Sequence, residues 1–87
     1  MQAEPYFVYV LECADGTLYT GVTTNIANRL DAHNSASSGA RYTKSRRPVS
    51  LKYQEEHPDR SSALKREYEV KQLTRVQKLS LIEGAGS

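Results

Sequence analysis

Two tyrosines and a glycine are spaced so that they could form a small polar site on one face of a β-hairpin. Tyr19 and Gly21 lie two residues apart in the stretch LYTGV, so both belong to the same face of a strand. If a tight turn joins this stretch to the preceding one, Tyr9 lies opposite Gly21 on that face. A glycine inside a strand often marks the close approach of another group, so we predict two phenols beside room for a ligand. The alternative is an ordinary tyrosine pair that stabilises the sheet by packing across two strands.

A carboxylate, Glu67, interrupts the apolar face of a helix predicted over residues 62–73. At about 100° per residue, Glu67 falls near the centre of the apolar stripe. The stripe consists of Ala63, Leu64, Tyr68 and Val70. A partly buried carboxylate requires a cation, a metal ion or several hydrogen-bond donors. We therefore expect a polar site at the edge of the core. The alternatives are a Glu67 side chain that extends out to solvent and an ion pair with Lys71.

Two further polar residues share a face of the helix predicted after the hairpin. Arg29 and His33 are four residues apart and lie on a different face from the apolar Ile26 and Leu30. The structural alternatives are a surface cation for Arg29 and, for His33, a helix C-terminal cation that favours the dipole. Asn34 is interpreted as a helix stop, with a phosphate contact as the alternative.

The segment 41–47, RYTKSRR, concentrates positive charge in a predicted loop. Its cations could follow the phosphates of a nucleic acid, and its tyrosine could stack on a base. The residues concerned are Arg41, Tyr42, Lys44, Arg46 and Arg47. A solvated basic loop without a ligand is the alternative.

Three strands are predicted from period-two patterns. Residues 5–12 are apolar on both faces, which is typical of a strand covered on both sides, so this strand should be central. The turn CADG, with Gly16 in the left-handed conformation, connects it to an antiparallel strand over 17–23. Residues 49–56 alternate, and we expect Val49, Leu51 and Tyr53 on one face of a third strand. His57, before a proline, is expected to be solvated in a turn.

Capping residues predict three helices. Thr24 or Asn25 can begin a helix that ends near His33 or Asn34, and Asp59 or Ser61 can cap the helix over 62–73. Thr74 and Gln77 form a capping box that opens a last helix to about Ile82. The predicted fold is α+β, a three-stranded antiparallel sheet with flanking helices in the order β-β-α-β-α-α. We expect one domain over 1–87, with a core of about 6–82 and a flexible tail over 84–87.

Composition excludes several classes of protein. The chain has 87 residues, 38% of them hydrophobic, which fits one small globular domain. No apolar run approaches the roughly 20 residues of a membrane span, and no cationic segment precedes the apolar residues near the N-terminus. The single cysteine, Cys13, rules out an internal disulfide and a multi-cysteine zinc site. We expect a cytoplasmic protein without membrane contact. The net charge of +2 is mildly basic.

The order of these residues resembles the GIY-YIG nuclease superfamily. The matching pieces are FVY at 7–9, YTG at 19–21, the Arg29–His33 pair on a helix and Glu67 in ALKRE. The stretches GARYTKSRRPVSL and SALKREYEVKQL are similar to those of the small single-domain bacterial members, and the former also resembles the nuclease subunit that cuts branched DNA. The sequence departs from the motif at Phe7, Thr20 and Val22, the last of which stands where some relatives carry a lysine.

The resemblance implies a metal-dependent endonuclease that hydrolyses phosphodiester bonds. It implies Glu67 as the protein ligand of one Mg²⁺ or Mn²⁺ and Tyr19 as the general base, or as the group that positions the water. Tyr9 would hold the network and contact the phosphate. Arg29 would lower a phenol pKa and stabilise charge in the transition state, and His33 would contact the phosphate or relay a proton. Gly21 would leave space for the phosphate and the water.

The resemblance implies a nucleic-acid partner, with DNA as the expected substrate, branched or damaged DNA as one form that it could take, and DNA repair as the expected setting. Because one small domain offers limited contact area, a protein partner could supply the choice of substrate. The alternative classes are a non-catalytic DNA- or RNA-binding module and an interaction domain that keeps the fold. The complete set of two tyrosines, arginine, histidine and glutamate favours cleavage, because a pure binder has no need of a carboxylate beside a phosphate.

Overall fold

The computed structural model describes residues 4–34 and 48–85, apart from the side chains of His33 and Ala85. Three strands form an antiparallel sheet in the order β2-β1-β3. In chain order the elements are β1 (Tyr6–Glu12), β2 (Leu18–Thr23), α1 (Ile26–Asn34), β3 (Ser50–His57), α2 (Arg60–Lys71) and α3 (Arg75–Ala85). The predicted α+β class, the element order and the central position of β1 are therefore confirmed.

The hairpin between β1 and β2 has the predicted register. Tyr9 pairs with Gly21, and Leu11 pairs with Tyr19. The turn is closed by a hydrogen bond from the Gly16 amide to the Cys13 carbonyl at 2.9 Å. Gly16 has a φ of +86°, the left-handed conformation that glycine adopts without steric cost. This register places Tyr9, Tyr19 and Gly21 on one face of the sheet.

The pairing of β1 with β3 contains an irregularity that the alternating pattern did not predict. Val10 pairs with Tyr53, whereas the next residue, Leu11, pairs with Leu51, so the register shifts between them. A bulge of this kind moves the residues beyond it to the opposite face. The prediction that Leu51 and Tyr53 share one face is therefore wrong. Tyr53 packs with the cluster on one side of the sheet, and Leu51 packs with the cluster on the other side.

Two small apolar clusters lie on the two faces of the sheet. One is built from Val8, Val10, Ala63 and Val70, so β1 packs there against α2, and side chains of α3 complete it. The other is built from Tyr9, Leu11, Cys13 and Val49, with Ile26 and Leu30 of α1 packed on it. The predicted apolar stripe of α1 is thus confirmed. The second cluster lies between α1 and the face of the sheet that carries Tyr9.

Helix α2 presents less of its apolar surface to the core than the helical periodicity predicted. Ala63 and Val70 are fully buried, but Leu64 is 39% exposed and Tyr68 is 68% exposed. Leu64 lies about 100° around the helix from Ala63, so a sheet that covers Ala63 and Val70 does not reach it. The predicted single stripe is therefore wrong. Glu67 does not lie at its centre but between the buried face and the exposed Leu64 and Tyr68.

The helices begin at predicted capping residues. The side chain of Asn25 accepts a hydrogen bond from the Asn28 amide at 3.0 Å, and that of Asp59 accepts from the Ser62 amide at 2.8 Å. Thr74 and Gln77 form the reciprocal hydrogen bonds of a capping box, which confirms that prediction. Helix α3 continues past the predicted end near Ile82 to Ala85, so Gly84 and Ala85 belong to the helix and not to a tail.

Candidate active site

The ring of Tyr9 lies directly against Gly21 on the neighbouring strand. A β-carbon added at residue 21 would meet the Tyr9 hydroxyl and would lie 2.6 Å from its Cζ atom, closer than real β-carbons approach other atoms. The space beside Gly21 is therefore filled by the Tyr9 phenol. The prediction that this space admits a phosphate and a water is corrected. The glycine is required because a β-carbon at residue 21 would overlap the Tyr9 ring.

Tyr19 joins Tyr9 on the same face of the hairpin. The two ring centroids are 6.4 Å apart with an angle of 44° between the ring planes. This is within the range of favourable aromatic pairs, so the two rings also stabilise each other. Tyr9 is buried, whereas Tyr19 is half-buried. Of the two phenols, Tyr19 is therefore the one with more access to a molecule in solvent.

Arg29 of α1 reaches across the sheet to both phenols. Its Nε donates a hydrogen bond to the Tyr9 hydroxyl at 3.4 Å, and the guanidinium also hydrogen-bonds with Tyr19. The helix is held in place by Ile26 and Leu30, which pack on the cluster beneath. The surface-cation alternative for Arg29 is therefore wrong. Arg29 is a half-buried cation directed at two hydroxyl groups.

The electrostatic environment gives Tyr9 and Arg29 fixed protonation states at neutral pH. Burial raises the pKa of Tyr9 above its ordinary value, and the hydrogen bond from Arg29 offsets this only in part. The hydrogen bond to Tyr9 in turn raises the pKa of Arg29. Tyr9 is thus a neutral phenol beside a permanent cation. This suits a residue that orients its neighbours rather than one that accepts a proton.

Glu67 approaches this group from α2. Its carboxylate is close enough for its negative charge to contribute to the raised pKa of Tyr9. The Glu67 side chain is 20% exposed, and its Oε2 lies 3.3 Å from Nζ of Lys71. The ion pair with Lys71, which the sequence left open as an alternative, is therefore present. It does not exclude a second cation, because Lys71 is itself half exposed and contacts one carboxylate oxygen.

The fold brings together four of the five residues predicted to be catalytic. They are Tyr9, Tyr19, Arg29 and Glu67. His33 lies in α1, four residues after Arg29, but its side chain is outside the described part of the structure. The predicted basic segment also lies outside the described residues, so the roles of Arg41, Tyr42, Lys44, Arg46 and Arg47 remain predictions.

Asn34 has a structural role that the sequence did not reveal. Its side-chain amide donates to the Val49 carbonyl at 3.1 Å and accepts from the Val49 amide at 2.8 Å. Both polar ends of the side chain are thus paired with the backbone just before β3, as in a strand ladder. The phosphate contact considered for Asn34 is therefore not supported. An asparagine at a helix C-terminus was the only signal of this role.

A second polar cluster lies on the opposite face, where β3 meets α2. Glu55 accepts hydrogen bonds from the Tyr53 hydroxyl at 2.5 Å and from Nε of Arg66 at 2.8 Å, and Nε2 of His57 lies 3.0 Å from it. Burial alone would raise the pKa of Glu55, but these partners outweigh it and the pKa lies below its ordinary value. His57 is thus paired and half-buried, which corrects its predicted place in a solvated turn. The cluster fixes α2, and with it Glu67, against the sheet.

The arrangement fits one hard divalent cation rather than a cage of protein ligands. Among the described residues, no group of three or more His, Cys, Asp or Glu side chains is placed to hold a metal ion. Mg²⁺ keeps most of its waters and commonly takes only one or two protein carboxylates. The single partly exposed carboxylate of Glu67, close enough to Tyr9 to influence its pKa, is compatible with that mode of binding. Within residues 4–34 and 48–85, no helix is long and apolar enough to cross a membrane.

Comparison with known proteins agrees with this geometry. The family model described as the GIY-YIG catalytic domain matches residues 5–80. The chain is 59% identical to a UPF0213 protein of Desulfotalea psychrophila over 92% of this chain and 73% of that protein. It is 53% identical to a UPF0213 protein of Staphylococcus haemolyticus, over 90% of this chain and 94% of that protein.

Solved structures of similar proteins have the same fold. The solution structure of an E. faecalis protein covers 98% of this chain and 90% of its own, with 39% identity and a TM-score of 0.66. That of a UPF0213 protein from Bacillus halodurans covers 91% of this chain and 83% of its own, with 40% identity and a TM-score of 0.59. The paired tyrosines, the arginine that joins them and the nearby glutamate are therefore set in a known architecture, and this chain is a small member of the GIY-YIG family.

Proposed function

We propose that this protein is a divalent-metal-dependent endonuclease that hydrolyses phosphodiester bonds in nucleic acid, with DNA as the expected substrate. The observation that carries the proposal is the convergence of Arg29 on the hydroxyls of Tyr9 and Tyr19, with the Glu67 carboxylate nearby. Phosphodiester hydrolysis requires an oriented water, stabilisation of charge on the phosphoryl oxygens and help for the leaving group. Tyr9, Tyr19, Arg29 and Glu67 could together orient the water, stabilise the charge and, through a metal ion on Glu67, assist the leaving group.

The two phenols take different roles in this proposal. Tyr19 is the more accessible one and orients the attacking water or takes its proton, assisted by the adjacent Arg29 guanidinium. Tyr9 is buried with a raised pKa, so it stays protonated and holds Arg29 in position. Arg29 carries a permanent positive charge and stabilises the negative charge that develops on the phosphoryl oxygens.

Glu67 is the residue that would hold the metal. Bound there, a Mg²⁺ or Mn²⁺ ion supplies Lewis-acid stabilisation of the phosphoryl and leaving-group oxygens. The ion pair with the Lys71 ammonium at 3.3 Å is consistent with this role, since it is a contact of the same carboxylate with a cation. We further propose that His33 contacts the phosphate from α1 and that the segment 41–47 adds cations along the substrate backbone. A protein partner that selects the substrate, and a place in DNA repair, belong to the same proposal.

The competing function is a nucleic-acid-binding module that does not cleave. Such a module would use the basic segment but has no need of Glu67, because a carboxylate repels a phosphate unless a cation lies between them. The Glu67 carboxylate, whose charge reaches Tyr9, therefore favours cleavage.

A panel of labelled substrates separates the two functions. Branched, single-stranded and duplex DNA and RNA are incubated with the protein in Mg²⁺, in Mn²⁺ or in EDTA. We expect metal-dependent cleavage of at least one substrate and its complete loss in EDTA. Glu67→Ala should abolish cleavage and leave binding unchanged or tighter. Clear binding with no cleavage of any substrate would establish the binding module, and full activity of Glu67→Ala would remove Glu67 from the metal role.

A further inference from the structure

One face of α2 combines the carboxylate of the candidate site with two exposed apolar side chains. Leu64, Glu67, Tyr68 and Lys71 lie at spacings i, i+3, i+4 and i+7, so they line a single strip of the helix. Neither Leu64 nor Tyr68 is among the side chains packed on the two described apolar clusters. The exposure of the Tyr68 ring therefore has no explanation in the packing of the described residues.

The surroundings of Tyr68 indicate what it is suited to contact. Lys65 and Lys71 lie three residues before and after Tyr68, so both project from the surface of α2 next to the ring, and the Lys71 ammonium also pairs with Glu67 at 3.3 Å. Both lysines are exposed. An aromatic ring between cations is the combination that binds single-stranded nucleic acid, because the ring stacks on a base while the cations attract the phosphates.

We propose that Tyr68, supported by Leu64, is a stacking surface for an unpaired base of the substrate next to the nucleotide held at Glu67. This inference rests on the proposed nuclease function for the identity of the ligand. A duplex cannot offer an unstacked base to the ring without losing its own pairing. The strip therefore gives the site a preference for DNA that is single-stranded, or locally unpaired, beside the phosphate at Glu67.

The test measures binding to a single-stranded DNA oligonucleotide that carries a fluorescent base analogue. All titrations are done in Ca²⁺, with Mg²⁺ and Mn²⁺ left out, so that a divalent cation can lie between Glu67 and the phosphate. The oligonucleotide is checked for cleavage after each titration. We expect the parent protein to quench the base fluorescence, as stacking on an aromatic ring does. Tyr68→Ala should weaken binding about tenfold and remove the quenching, since a base–aromatic stack is of that magnitude. Tyr68→Phe keeps the ring and should bind the single-stranded oligonucleotide like the parent. The affinity of either variant for duplex DNA should differ from that of the parent by less than about twofold.

Val76→Ala is the matched control. Val76 is also an exposed apolar residue, 73% exposed, but it lies on α3 and not on the strip. It should leave binding and quenching unchanged. Thermal unfolding of every variant confirms that the fold is retained, as expected for substitutions of exposed residues.

Three results would overturn the inference. They are parent-like single-strand binding by Tyr68→Ala, an equal loss in Val76→Ala, and no binding of the single-stranded oligonucleotide by the parent. Parent-like binding by Tyr68→Ala would mean that Leu64 and Tyr68 do not contact the DNA, and a contact with a protein partner would then be the remaining interpretation of their exposure. Failure of the nuclease proposal is separable, because a parent protein that quenches the base but never cleaves in Mg²⁺ retains the stacking surface and loses only the catalytic role.

Discussion

The phenol of Tyr9 and the α-carbon of Gly21 are in direct contact across the β1–β2 hairpin, with no room for a β-carbon between them. This contact fixes the Tyr9 ring, and the ring in turn presents its hydroxyl to Arg29. Gly21 weakens β2 as a strand, but without it the Tyr9 ring could not occupy the position from which its hydroxyl reaches Arg29.

Gly21→Ala should destabilise the protein by about 1–3 kcal/mol, the usual cost of overpacking a filled interior. Removing a glycine from a strand would otherwise be favourable, so the sign depends on the Tyr9 ring. Urea unfolding measures the change in the free energy of unfolding. Gly84→Ala is the control, because a β-carbon there meets nothing within 4 Å and should be neutral or stabilising in α3.

A double-mutant cycle assigns this cost to the contact itself. In a Tyr9→Ala background the ring is gone, and Gly21→Ala should lose most of its penalty. An unchanged penalty in that background would mean that some group other than Tyr9 limits the space at residue 21.

Arg29→Ala should move the pKa of Tyr9 still further upward. Arg29 lowers this pKa through its hydrogen bond and its charge, against the larger effect of burial, so its removal leaves burial unopposed. Titration of tyrosine ring carbons by NMR, with the Tyr9 signal assigned from Tyr9→Phe, measures the shift. If the activity is as proposed, cleavage should fall about 100-fold, as for loss of one donor to a developing oxyanion. Arg29→Lys keeps the charge and should raise the Tyr9 pKa less than Arg29→Ala does. A fall in the Tyr9 pKa on Arg29→Ala would contradict the assignment.

Glu55→Gln should make the stability of the protein less sensitive to acid. The pKa of Glu55 in the folded protein lies below its ordinary value, so the carboxylate contributes stability above that ordinary value. This contribution is lost as the pH falls through the folded pKa. The difference in unfolding free energy between parent and variant should therefore be present near neutral pH and shrink in acid.

Glu56→Gln serves as the control for the Glu55 prediction, because Glu56 is the next residue of β3 and is exposed. Its unfolding free energy should follow that of the parent across the same pH range. A constant difference between Glu55→Gln and the parent at every pH would show that the carboxylate acts only by its shape.

Thr20→Val should stabilise the protein by about 1 kcal/mol. The Thr20 hydroxyl is fully buried and has no hydrogen-bond partner among the described residues. Valine has nearly the same shape and removes the unpaired polar group. The midpoint of urea unfolding should rise without a change in its slope. Thr23→Val is the contrasting variant, since the Thr23 hydroxyl accepts from the Asn25 amide at 3.1 Å, and it should destabilise. Destabilisation by Thr20→Val would indicate that the hydroxyl has a partner after all.

Local patterns in the sequence determined the elements and part of the site. Strand alternation and the CADG turn predicted correctly that Tyr9 lies opposite Gly21, because a two-residue periodicity fixes which residues share a face and a tight turn with a left-handed glycine limits the register. Short polar motifs predicted the helix starts at Asn25, Asp59 and Thr74, because capping is a contact between residues three apart.

Contacts between distant residues were decided only by the tertiary structure. The bulge opposite Val10 and Leu11 and the side that α2 turns to the sheet depend on how whole elements pack, so Tyr53, Leu64 and Tyr68 lie where periodicity did not place them. For the same reason the sequence could select Gly21 as unusual but not tell whether a ligand or the Tyr9 ring fills the space beside it. Residue type and order are sufficient to identify the residues of this site. Which of them are in contact depends on distance and burial, and these are set only when β1, β2, α1 and α2 pack together.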